Sequence, residues 1–230
     1  LFLYELSLTI GRTSCPQTTC RDFLRVLVSK RRLAGASVWW FDPEADDGPE
    51  KELVLLDALP RSRESSTRLP PGNALWAAAR GDRPQRLSGP ECAVLTAFED
   101  DPVGACALLP LGGQGVLKLD SAAEEAFNPR ELAQLRAVVA KLATAIQGGL
   151  ALARVKRSEA ALREKTEELD RYFTSSLDLL CIADTGGRFV RLNPEWTRVL
   201  GYPAGSLEGR VFLDFVHPDD LDSTLAAIGR

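Results

Sequence analysis

The sequence predicts an α+β protein: an antiparallel sheet flanked by helices, a long connecting helix, then a smaller α/β segment. Three observations carry that reading. Two pairs of β-rich runs, Ala36–Phe41 with Lys51–Leu59 and Ala105–Leu111 with Gly115–Leu119, are joined by polar or glycine-rich connections. From Asn128 to Phe173, apolar residues recur at spacings of 3 and 4. Beyond that helix, Asp178–Ala183 and Arg188–Leu192 flank Asp184-Thr185-Gly186-Gly187, whose glycines supply the positive φ of a tight turn.

Each element has a local cause. Leu1–Gly11 is a mostly apolar helix that stops at a glycine. Thr18 or Thr19 is placed to cap a second helix, whose apolar positions Phe23, Leu24, Leu27 and Val28 form one face. Lys30, Arg31 and Arg32 close it, where cations suit the negative end of the helix dipole. Asp42–Glu50 is the loop of the first hairpin, and Arg61–Gly72 is a long polar connection. Asn73 caps a short helix through Arg80 that Gly81 ends, and Gln85–Leu87 is a further strand. Gly112, Gly113 and Gly115 form a turn between two strands, since no Lys-Ser/Thr follows them as a phosphate loop requires.

The long helix starts at Asn128-Pro129. Its first stripe is Leu132, Leu135, Val139, Leu142 and Ile146. Gly148 and Gly149 interrupt it. A second stripe, Leu152, Val155, Glu159, Leu162, Thr166, Leu169 and Phe173, keeps a heptad in a different phase. A kink or stutter is expected at the glycines. A small domain cannot cover so long a stripe, so helix 129–173 is expected to pair with its own copy in a parallel homodimer. Polar Glu159 and Thr166 at core positions suit a helix with two packings better than one of maximal stability. Asn193-Pro194 then opens a short helix ended by Gly201. His217-Pro218-Asp219-Asp220 opens the last one, with His217 expected to cap or bridge its start.

Composition removes several functions. The chain has 230 residues, 45% hydrophobic and 26% charged, and a net charge of -4, so no broad basic surface for nucleic acid is expected. No uninterrupted apolar run approaches membrane-spanning length, and no secretory signal opens the chain. Cys15, Cys20, Cys92, Cys106 and Cys181 are scattered and form no CxxC, which reads as reduced thiols in a cytoplasmic protein with no metal site. With His217 the single histidine, no multi-histidine metal centre exists, and no nucleophile–base constellation marks an enzyme.

Two resemblances add to this reading. Phe173, Ser176, Asp178, Leu179 to Asp184, Gly187, Arg191 to Pro194, Trp196, Leu200-Gly201-Tyr202, Leu207, Gly209, Phe215 and His217 to Asp220 resemble, in order, the first half of a PAS domain. The resemblance implies structural roles for Asp184, Gly187, Asn193, Trp196, His217 and Asp220. It also implies that three further strands follow in the natural protein, so this half leaves part of its core uncovered. Leu108 to Leu111, Gly115 to Leu117, Phe127, Glu131-Leu132, Leu135, Val138-Val139, Leu142 and Ala145-Ile146 resemble the final hairpin and closing helix of a GAF domain.

The expected organisation is therefore a GAF-like sensor domain over 1–148, a coiled-coil signalling helix over 149–172, and an incomplete PAS segment over 173–230. That order looks like the sensory region of a bacterial histidine kinase, or else the input module of a cyclic-di-GMP enzyme or a ligand-free dimerisation scaffold. A GAF ligand pocket would draw on Trp39, Phe41, Trp76, Cys106 and Leu108, though aromatics on a strand ordinarily build core. Trp39 and Trp40 must face opposite sides of the sheet. The cofactor is unknown. Haem is disfavoured because the first domain lacks histidine, and bilin because Cys92, in an expected loop, is followed by Ala93. The ligand is expected to be an unidentified small molecule.

Overall fold

The computed structural model describes residues 2–46, 48, 50–60, 66–93, 103–203 and 205–228. They divide into two compact units, 1–156 and 157–230, and one helix runs through both.

In the first unit, α1 (Phe2–Leu8) and α2 (Pro16–Arg31) precede the sheet. The strands are β1 (Gly35–Phe41), β2 (Leu53–Leu59), β3 (Arg68–Leu69), β4 (Gln85–Ser88), β5 (Ala105–Pro110) and β6 (Gly115–Ser121). Every pairing is antiparallel, in the order β3-β2-β1-β6-β5-β4. Helices α3 (Ala74–Arg80) and α4 (Pro90–Ala93) lie between β3 and β5 in the chain. Leu1 and residues 61–65, part of the expected helix and connection, lie outside the described residues.

Alternation along the strands divides the core. Val38 and Trp40 of β1, Ala107 and Leu109 of β5, and Leu117 and Leu119 of β6 face α1, α2 and α5 (Pro129–Ser175). Trp39 and Phe41, Leu108 and Val116 face α3 on the other side. Trp39 and Trp40 thus point to opposite faces, as the period of two requires.

Two expectations need correction. Helix α2 starts at Pro16, with Cys15 at the cap position, and neither Thr18 nor Thr19 caps it. Proline at the first helical position has the required φ and no N–H to satisfy, which sets the start earlier. The long connection contains β3, fastened by Arg68, whose guanidinium binds Asp42 at 2.8 Å and Glu52 at 3.2 Å. Helix α5 runs through the glycine pair as one helix of 47 residues, continuous as expected. Gly149 is buried where α5 crosses the start of α2: a Cβ there would lie 2.6 Å from the Ser14 carbonyl oxygen.

An 18-residue window of α5 is apolar enough, at a mean hydropathy of 1.3, to cross a membrane by length and composition. It is not an uninterrupted apolar run, because charged residues such as Lys141 lie within it. One third of that window is buried, and Val139, Leu142 and Ile146 within it are part of the core against the sheet.

The second unit contains the end of α5, β7 (Cys181–Ala183), β8 (Phe189–Leu192), α6 (Glu195–Leu200) and α7 (Leu221–Ile228). Strands β7 and β8 form a two-stranded antiparallel sheet. Its small core centres on buried Phe189, whose ring centroid lies 5.3 Å from Trp196, 5.9 Å from Phe215 and 6.2 Å from Phe212. Ile182 and Val190, on the strands, remain exposed.

Candidate functional site

The α3 face of the sheet holds the residues singled out for a pocket. Asn73 Oδ1 accepts a hydrogen bond from the Trp76 backbone N–H at 2.8 Å and starts α3, which lays Leu75, Ala78 and Ala79 over Trp39, Phe41, Leu53, Leu108 and Val116. Trp39, Phe41 and Leu108 are therefore buried packing residues. The Trp39 indole N–H donates to Ser37 Oγ at 2.9 Å. Trp76 is half-buried at the rim, donating its indole N–H to the Lys51 carbonyl at 2.8 Å. Arg80 lies over the rings of Phe41 and Trp76 and donates to the Gly48 carbonyl at 2.8 Å. Helix α3 is thus fastened to the β1–β2 loop as a cover over this face.

Cys106 belongs to a different group. Its thiol donates to Asp120 Oδ1 at 3.2 Å, and the other oxygen of Asp120 lies 3.3 Å from Lys118 Nζ. Lys118 is fully buried and Asp120 2% exposed, so an ion pair sits inside the domain. Burying two charges costs several kcal/mol per ion, about as much as their attraction returns. Stability alone therefore does not explain the pair. Its sequence signal was Lys118 and Asp120 at i and i+2 on a strand between two neighbours, which puts both on the face of Val116.

Cys92 touches the Cys106 thiol. It lies in α4 and is buried, not in the open loop expected from sequence. The reversal follows from Gly89, whose positive φ turns the chain back after β4, with the Cys92 N–H donating to the Gly89 carbonyl at 3.0 Å. Burial, with Asp120 alongside, pushes the Cys106 thiol up. Burial also pushes Cys20 up to about 12. Cys15 is opposite in kind: exposed, with its thiol lowered by hydrogen bonds from the Thr18 side chain and backbone. A lowered pKa raises the thiolate fraction at a given pH. Iodoacetamide at neutral pH should therefore alkylate Cys15 first, while Cys20, Cys92 and Cys106 react only on unfolding. Peptide mass spectrometry over time checks this, and early labelling of Cys106 would contradict the described packing.

Two open depressions are lined by described residues. One, of about 570 Å³, lies beside the β5–β6 turn and α5, with Trp40, Pro110, Arg136 and Thr144 in its wall. The other, of about 450 Å³, is lined in the second unit by Trp196, Tyr202 and Leu207 among others. None of the five expected pocket residues lines either.

The structural residues of the second unit work as follows. Asp184 Oδ1 accepts from the backbone N–H of Gly186 and Arg188, at 2.9 and 2.8 Å, and closes the turn that Gly187 completes with φ 74°. Asn193 does not cap α6 through its side chain: Oδ1 accepts from Leu180 N–H at 3.1 Å and Nδ2 donates to the Asp178 carbonyl at 2.8 Å, pinning the entry to β7. Trp196 donates its indole N–H to the Leu180 carbonyl at 3.0 Å. His217 Nδ1 accepts from Asp219 N–H at 3.3 Å. The Asp220 carbonyl accepts from the hydroxyls of Ser223 and Thr224 in the first turn of α7.

The second half of α5 has a bare stripe. Leu162 and Leu169 are 70% and 68% exposed, and Leu152 and Val155 are also exposed. Leu142, Ile146 and Gly149 continue at heptad spacing to 153, one position away from Leu152. That offset turns the stripe by about 100° around the helix, so one face covers the sheet while a neighbouring face stays bare.

Comparison with known proteins places both units. Residues 167–228 match the family model of the PAS domain. The first unit has the fold of GAF domains. It is similar to the GAF domain of a phosphoenolpyruvate-protein phosphotransferase from Acinetobacter (TM-score 0.53, 12% identity, 65% of this chain and 93% of that one). The corresponding domain from Coxiella burnetii gives a TM-score of 0.51 at 17% identity, over 68% and 95% of the two chains. A free methionine-R-sulfoxide reductase from Neisseria meningitidis gives 0.50 at 17% identity, over 64% and 87%. No curated protein matches the sequence.

Proposed function

We propose that this chain is the sensory and relay region of a cytoplasmic bacterial signal-transduction protein of the sensor histidine kinase type. One observation carries the reading: a single helix leaves the core of a GAF-fold unit, bares a heptad stripe, and enters residues that match a PAS domain. GAF and PAS domains are signal-sensing modules. In this reading the first unit receives a small molecule or a partner. Helix α5 pairs with its copy in parallel and passes a rotation or change of register onward. Glu159 and Thr166, at core positions of the stripe, keep the pairing short of maximal stability.

The chain should therefore run as a dimer in light scattering after size exclusion. Leu162→Asp should shift it to monomer while leaving the melting of the first unit unchanged, because Leu162 touches nothing in that unit's core. A monomer at all accessible concentrations would overturn the relay.

The regulatory reading is preferred over an enzymatic one despite the reductase among similar folds. Nucleophilic thiol chemistry needs an accessible thiolate: the Cys92 and Cys106 thiols that meet are buried, with burial and Asp120 pushing Cys106 up, and exposed Cys15 has Gln17 and Thr18 rather than a second thiol as its hydrogen-bond partners. A second reading, a dimerisation scaffold without ligand, is favoured by the packing of Trp39, Phe41 and Leu108 beneath α3. Native mass and absorption spectra of the purified chain distinguish the two: extra mass or a visible band supports the sensor, and an unloaded dimer supports the scaffold.

A further inference from the structure

We propose that the last heptad of α5 is a contested surface, held by Arg191 of β8 within one chain and by a second copy of α5 in the parallel dimer. This rests on the parallel pairing proposed above and adds the residue that regulates it.

Arg191 makes two contacts with the end of α5. Its Nη1 lies 2.7 Å from Asp170 Oδ1, and its guanidinium sits 4.7 Å from the centroid of the Phe173 ring. In the heptad, Leu152, Glu159, Thr166 and Phe173 occupy the first core position, a, and Val155, Leu162 and Leu169 the second, d. Phe173 is thus the next seam residue after Leu169. Asp170 then falls at the flanking position e, and Lys165 at the flanking position g before it. Across a parallel pair, g and e of opposite chains meet, so Lys165 of one copy faces Asp170 of the other.

Both contacts of Arg191 therefore fall on atoms that a second copy would use. Phe173 can pack in the seam or lie under the guanidinium. Asp170 can bind Lys165 of the second copy or Arg191 of its own chain. In the single chain Lys165 is held by Glu168 at 2.7 Å, an exposed pair that exchanges readily. Arg191 sits in β8 between Phe189, the centre of the small core, and Asn193, which pins the entry to β7. A shift of β8 moves Arg191 directly. The sheet of the second unit thus sets how far the seam zips.

Disulfide trapping at the two d positions tests this in the full 230-residue chain, with Cys15→Ser and Cys181→Ser removing the exposed thiols. Leu162→Cys reports the middle of the seam and Leu169→Cys its end. With Arg191→Ala, cross-linking at 169 should rise roughly fivefold, the factor that an exposed ion pair and cation–π contact together support. Cross-linking at 162 should not change. Arg191→Lys, which keeps the charge but not the planar stack, should give a smaller rise. Asp170→Asn should also raise the rate at 169, and it carries the test if Arg191→Ala unfolds the second unit, as read from Trp196 fluorescence. Equal acceleration at 162 and 169, or none at 169, overturns the latch and leaves the dimer standing. Absence of cross-linking at 162 in every variant overturns the parallel pairing and the latch with it.

Discussion

Replacing Lys118 by methionine is expected to destabilise the first unit, because leaving a buried partner without its counter-charge costs about 3–5 kcal/mol before any gain in packing. The Asp120 carboxylate would stay in the interior without the ammonium 3.3 Å away. Methionine is as long as the lysine stem and more apolar, so packing should offset part of the loss. That gain is about 1–2 kcal/mol for a side chain already buried along its stem, which is too small to reverse the sign. For a unit of roughly 150 residues the net loss lowers the melting temperature by on the order of 10 °C. The measurement is denaturant or thermal unfolding followed by the fluorescence of Trp39 and Trp40. A second variant, Lys118→Met with Asp120→Leu, should recover most of the loss, because apolar groups of similar volume commonly replace a buried pair at little cost. Recovery would show that the pair is not retained for stability, and would direct the search for a ligand to the Cys106 side of the α3 face. Without recovery, the pair is part of the packing itself.

How much of this was legible in the sequence depends on whether the cause was local. Strand β1 was legible because Ser37 to Phe41 combine β-branched and aromatic side chains, and α3 because Asn73 caps it and Gly81 ends it. The Asp184 turn was legible for the same reason: its aspartate and glycines satisfy the backbone within four residues. Strand β3 was not, since two residues carry no periodicity and its pairing depends on Arg68 reaching Asp42 and Glu52 across the chain. Trp39, Phe41 and Leu108 share one face in the structure, with Trp76 at its rim. Sequence could not show that α3 packs down on them, because that depends on how the β1–β2 loop accepts Trp76 and Arg80. The Lys118–Asp120 pair was passed over because charge on a strand ordinarily means a solvated face, and its burial comes from strands on both sides.

Gly148 and Gly149 make the sharpest case, since adjacent identical residues in one helix are expected to respond with opposite signs. Glycine within a helix is less favourable than alanine by about 1 kcal/mol, so Gly→Ala gains up to that amount wherever the new methyl has room. At Gly148 nothing lies within 4 Å of the added Cβ. Gly148→Ala should therefore stabilise the chain by about 0.5–1 kcal/mol. At Gly149 the methyl would stand 2.6 Å from the Ser14 carbonyl oxygen and 2.9 Å from Pro16 Cγ. One is backbone and the other a ring at the first position of α2, so neither can swing aside as a flexible side chain would. Overpacking of this kind costs about 1–3 kcal/mol, which exceeds the propensity gain and makes Gly149→Ala a net loss. Unfolding of the two variants side by side reads the contact directly, because the propensity term is common to both. The same contact bears on signalling. Gly149 lets α5 lie against the start of α2 at the point where its buried face gives way to the bare stripe. A methyl that forces α5 away there should also alter the phase in which the stripe is presented. If both variants are instead stabilised equally, the Ser14–Pro16 segment yields to the helix, and α5 is free to turn against α2 at that point.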